Sequence, residues 1–75
     1  MEVIQLKELM EEVEDRLKQV TYSIKEYKRI SEKEECKKST IGSSSVQMLI
    51  RIETALQNAL EEELEKMKDL YAQNT

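Results

Sequence analysis

Two kinds of side chain in this sequence could take part in catalysis: a single cysteine, Cys36, and adjacent carboxylates such as Glu11 and Glu12. The sequence has no histidine, so the usual proton shuttle near neutral pH is missing. Carboxylates act as general acids or bases only where burial or a neighbour changes their proton affinity, and these lie on predicted solvated helix faces. Cys36 has no catalytic partner in the sequence. We therefore interpret the thiol as inert and expect no catalytic residue and no enzyme activity.

Metal and cofactor binding are disfavoured by the same residue counts. One cysteine and no histidine cannot form a structural zinc site, and no aspartate-rich loop with a central glycine is typical of a calcium site. We expect no metal, no cofactor and no small-molecule substrate. A lone cysteine indicates a reducing compartment, and the N-terminal residues lack the pattern of a signal peptide. Because no apolar run is as long as a membrane span, we expect a soluble, cytoplasmic protein that does not bind membranes.

The chain is interrupted once, at residues 39–45, which hold its only glycine. The flanking segments are rich in glutamate, lysine, leucine, isoleucine and glutamine, which favour helix, and proline is absent. The pattern predicts an all-α fold with one domain, 1–75. Its helices cover about 2–38 and about 44–72, joined by a connection at about 39–43. Ser44 with Gln47 fits a capping box at the start of the second helix. The prediction is a two-helix antiparallel hairpin.

The first helix carries a regular apolar seam. Apolar residues recur in alternating steps of three and four, the a/d spacing of a coiled coil, and this register ends near Ile30. This predicted helix–helix seam comprises Leu6, Met10, Val13, Leu17, Val20, Ile24 and Tyr27.

The second helix has a wider apolar face. Its main stripe (Leu49, Ile52, Leu56, Leu60, Leu64, Met67 and Tyr71) has a mean step of about 3.67 residues, close to that of a straight helix. Around residues 46–60 the apolar arc spans roughly 220°, whereas packing against one neighbour uses about 100° or somewhat more. The pattern predicts partners on more than one side. The predicted interface comprises Val46, Leu49, Ile52, Leu56, Ala59, Leu60 and Leu64.

Charge is unevenly distributed along the chain. The net charge is −5 over residues 1–15, +4 over 16–38, zero over 39–60 and −3 over 61–75. A hairpin would have an acidic end at its termini and a basic end at its turn. Two hairpins laid head to tail would bring opposite charges together, which favours an antiparallel homodimer, a four-helix bundle. Because the first seam is long, an opened or domain-swapped coiled coil stays an alternative.

These observations predict a small non-enzymatic interaction or regulatory protein that acts through helix–helix packing. As a first alternative, the same face binds a different helical protein. The segment Arg51–Leu60 resembles the second helix of type III secretion needle chaperones, and this resemblance implies a co-chaperone or adaptor subunit. As a second alternative, the size and layout resemble Rop-type plasmid copy-number regulators, helical hairpins that dimerise and bind an RNA pair. Acidic neighbours and the net charge of −4 argue against nucleic-acid binding. The basic patch that it would use comprises Lys25, Lys28, Arg29, Lys33 and Lys37.

Overall fold

The chain folds into a helical hairpin. The computed structural model describes residues 2–75, with all of their side chains except those of Glu35 and Cys36. Three helices follow one another, α1 (Val3–Ser31), α2 (Glu34–Lys38) and α3 (Thr40–Gln73), and the described chain contains no strand. The long helices α1 and α3 pack side by side in a rod whose Cα atoms extend over 54 × 14 × 14 Å. The prediction of an all-α two-helix hairpin is confirmed.

The first long helix ends earlier than predicted, at Ser31 instead of near residue 38. The Ser31 hydroxyl donates a hydrogen bond to the carbonyl oxygen of Lys28 (2.7 Å), and the Lys33 amide donates to the carbonyl of Ile30 (3.1 Å). The a/d register supplies no further apolar residue beyond this point, so no packing energy holds the helix straight. The chain therefore bends after Ser31, and the short helix α2 continues to pack on α3.

The second long helix begins earlier than predicted. Its N-cap is Ser39, whose side-chain oxygen accepts a hydrogen bond from the Gly42 amide at 3.0 Å. Ser44, the predicted cap, lies inside α3, and residues 40–43 are helical rather than part of a connection. Several serines in this segment can serve as caps. Because α2 ends at Lys38, Ser39 is the first serine after it. Its backbone is extended, with φ −100° and ψ 115°, as is usual for an N-cap residue.

The hairpin is held by contacts along one side of each long helix. Within the predicted α1 seam, Leu6, Val20 and Ile24 are buried and the other members are half-buried. From α3, Leu64 is buried, and the Gln57 amide donates a hydrogen bond to the Thr21 hydroxyl at 3.1 Å. That bond marks the antiparallel register, with Gln57 of α3 level with Thr21 of α1.

The hydrophobic core of a single hairpin is thin. Among the described residues, four hydrophobic side chains are buried and none of them completely. The accessible surface is 5993 Å², whereas a compact monomer of this mass exposes about 4800 Å². The radius of gyration is 16.8 Å, against about 11 Å for a compact domain of this length. The elongated hairpin thus exposes more surface to solvent than a compact monomer of the same mass.

Candidate helix-docking surface

The helix α3 carries apolar residues on two sides. Its C-terminal half packs on α1 through residues spaced by four, three and four. These are Leu60, Leu64, Met67 and Tyr71, all buried or half-buried. Continuing that a/d spacing toward the turn gives Gln57, Glu53, Ile50 and Val46, and these four residues are likewise half-buried. Because the α1 seam keeps the same spacing, α3 must follow it to stay in register over its full length.

This register turns a second row of α3 residues toward solvent. Leu49, Ile52 and Leu56 have exposed fractions of 39%, 60% and 44%, and Ala59 is also exposed. These four residues, which we name the outer stripe, are spaced by three, four and three. Next to them, Met48 is 59% exposed. At 100° per residue, the outer stripe is centred roughly 100° around α3 from the side that faces α1. It is therefore a separate surface from the hairpin seam.

The outer stripe continues into a shallow groove between the long helices. The apolar residues that line this groove are Val20 of α1 together with Leu56 and Leu60 of α3. The other lining residues are polar, Arg16 and Glu53 among them. An apolar strip bordered by polar side chains is the usual form of a site that receives an amphipathic helix.

The predicted interface set is thus divided between two surfaces. Val46, Leu60 and Leu64 belong to the contact within the hairpin, whereas the other four members form the outer stripe. Glu53 and Gln57 were not predicted to lie in the seam, because they are polar and the apolar stripe beside them was the stronger signal. They are identified when the a/d spacing of Leu60, Leu64, Met67 and Tyr71 is extended toward the N-terminus of α3 in steps of three and four.

The predicted basic patch does not lie on one continuous helix. Lys25, Lys28 and Arg29 are on α1, Lys33 is in the bend, and Lys37 is on α2. All five side chains are exposed. Arg29 forms an ion pair with Glu26 at 3.1 Å. The bend after Ser31 therefore spreads these cations over three segments.

Most of the described carboxylates lie on solvated helix surface, and Glu26 and Glu53 are half-buried. Every ion pair found among the described side chains joins residues three or four apart on one helix, and exposed pairs of this kind contribute little to stability. In the part of the chain whose side chains are described, no three potential metal ligands converge. The prediction that the Cys36 thiol is inert falls outside the described side chains. No described helix is both long and apolar enough to cross a membrane.

Comparisons of the chain with protein-family models, curated protein sequences and solved structures found no match. The roles assigned to residues below therefore rest on the geometry of the chain itself.

Proposed function

We propose that this chain is a small, non-enzymatic cytoplasmic protein that acts by helix–helix packing and associates with itself as a four-helix bundle. The observation that carries this proposal is the outer stripe: three large aliphatic side chains, 39–60% exposed, in a row on one helix. Contiguous apolar surface of this kind marks an interaction site on a soluble protein. The heptad spacing of the stripe suits a second helix as the partner.

The dimensions of the hairpin leave room for an interface of standard size. A side of the rod 54 Å long and 14 Å wide offers about 750 Å², close to the ~800 Å² per partner of a standard protein–protein interface. The thin core provides a further reason, because one small hydrophobic core rarely supplies more than about 3–5 kcal/mol and association adds to it. Pairing two hairpins would cover the outer stripe and add a second layer to the core.

The proposal is tested by the mass of the purified protein, measured by light scattering after size exclusion. We expect a dimer, twice the 8.8 kDa of one chain. Leu56→Glu places a charge in the stripe and should give monomers, because burying an unpaired carboxylate costs several kcal/mol, on the order of the association energy. Asn58→Glu makes the same addition at an exposed position on another side of α3, and it should stay dimeric.

Helical content, followed by circular dichroism, separates loss of association from loss of folding in Leu56→Glu. A wild-type protein that stays monomeric at high micromolar concentration contradicts self-association. In that case the outer stripe is left for a different helical protein, the co-chaperone or adaptor alternative. A pair of variants that dissociate equally would contradict the assignment of the interface to the stripe.

A further inference from the structure

We infer that the second copy binds α3 against α3 in antiparallel orientation, with a two-fold axis level with Thr54. This inference rests on the proposed self-association and specifies the register of the contact. The spacing of the outer stripe is palindromic: its steps of three, four and three read the same in both directions. A two-fold dimer needs a self-complementary surface, because each contact of residue i with residue j recurs as a contact of j with i.

The register follows from the midpoint of the stripe. Leu49 and Ala59 are equally distant from residue 54, and so are Ile52 and Leu56. An axis at that level places Ile52 against the partner's Leu56 and Leu49 against the partner's Ala59. Large residues then face smaller or equal ones, so the row packs without leaving two alanines face to face. In a parallel pair, Ala59 would face the partner's Ala59 across a gap.

The same axis also suits the shape of the whole rod. The midpoint of α3 (Thr40–Gln73) lies within three residues of Thr54, so two hairpins related by this axis overlap over almost their full length. An axis displaced toward either end would leave one end of each rod uncovered. The register that satisfies the stripe is therefore also the one that buries the most surface.

Charge selects the antiparallel orientation over the parallel one. At the turn end, residues 16–38 carry +4, whereas residues 1–15 and 61–75 at the terminal end carry −5 and −3. Because Gln57 is level with Thr21 inside each hairpin, an axis at Thr54 places the turn end of one copy beside the terminal end of the other. A parallel pair would instead bring together two basic ends and two acidic ends, which is electrostatically unfavourable. Within residues 46–60 the charged residues are Arg51 and Glu53 alone, so the centre of the contact presents few charges.

Distances between identical spin labels on the two copies test this register. In a Cys36→Ser background, a single cysteine is introduced at Ser44, Asn58, Glu65 or Ala72, all exposed positions separated by whole heptads on one side of α3. Because a helix rises 1.5 Å per residue, the separation along the rod should be about 30 Å for Ser44 and about 12 Å for Asn58. It should then increase to about 33 Å for Glu65 and about 54 Å for Ala72.

Each outcome of the labelling experiment has a distinct meaning. If the label-to-label distance is shortest between positions 44 and 65 and increases steeply toward Ala72, the axis at Thr54 is supported. Equal distances at all four positions would show a parallel pair and overturn this register while leaving self-association intact. A shortest distance that lies a heptad or more away from residue 54 overturns the register in the same way. No dipolar coupling at any position, with a monomeric mass, overturns the proposed function itself.

Discussion

Ser39 and Ser44 lie five residues apart near the start of α3, and only Ser39 caps the helix. Its side-chain oxygen satisfies the Gly42 amide at 3.0 Å, one of the amides that the first helical turn leaves without a partner. Ser44 is exposed inside the helix, where serine is a weaker helix former than alanine. Ser39→Ala should therefore lower the free energy of unfolding by about 1 kcal/mol.

Ser44→Ala is the matched control for the cap, because it makes the same chemical change in the same stretch of serines. It should leave the stability unchanged or raise it by a few tenths of a kcal/mol. Urea unfolding, followed by circular dichroism at one protein concentration for all variants, measures both effects. If Ser44→Ala were the more destabilising substitution, α3 would begin at the predicted position and the observed cap would be wrong.

At the scale of the helix, α3 places two polar residues, Glu53 and Gln57, in the middle of its seam with α1. The hydrogen bond to Thr21 compensates for the partial burial of the Gln57 amide. Glu53 is half-buried and lines the apolar groove. Glu53→Leu should raise the free energy of unfolding by about 1 kcal/mol, since it adds apolar surface at a half-buried position of the seam. Denaturant unfolding at a fixed protein concentration measures the change.

Glu62→Leu provides the control for the seam, because Glu62 is exposed on the side of α3 that faces away from α1. It adds the same side chain without adding a contact with α1, so the stability of the hairpin should hardly change. A gain in stability as large as that from Glu53→Leu would mean that general hydrophobicity, rather than the seam, stabilises the chain.

Periodicity predicts the existence of the two long helices and the side of α1 that packs, because its a/d pattern continues from Leu6 to Tyr27 without interruption. The face that α3 presents is harder to predict. Its most apolar stripe and its a/d seam coincide from Leu60 onward and diverge toward the turn. Which of them faces α1 depends on matching the spacing of the partner helix, a property of the pair that one helix alone does not reveal. The position of the turn was missed because several serines offer equivalent caps.

At the scale of the whole molecule, the opposite charges of the two ends are the feature that an antiparallel dimer would use. Lys33→Glu with Lys37→Glu removes the net positive charge of residues 16–38, from +4 to zero. The dimer should therefore weaken about tenfold at low salt, at ~0.2–1 kcal/mol per lost ion pair. Sedimentation velocity over a range of concentrations measures the dissociation constant. Both lysines are exposed, and neither lies in the outer stripe or the hairpin seam.

Lys7→Glu with Lys68→Glu is the matched control. It changes the net charge from −4 to −8, as the turn-end pair does, but at the already acidic terminal end. That end would face the basic turn of the partner. At low salt the dimer of this variant should therefore have a lower dissociation constant than the dimer of the turn-end variant. The difference should vanish at 1 M salt, where the screening length falls to about 3 Å. Equal weakening by both variants would mean that only overall repulsion matters, and the antiparallel arrangement would lose its electrostatic support.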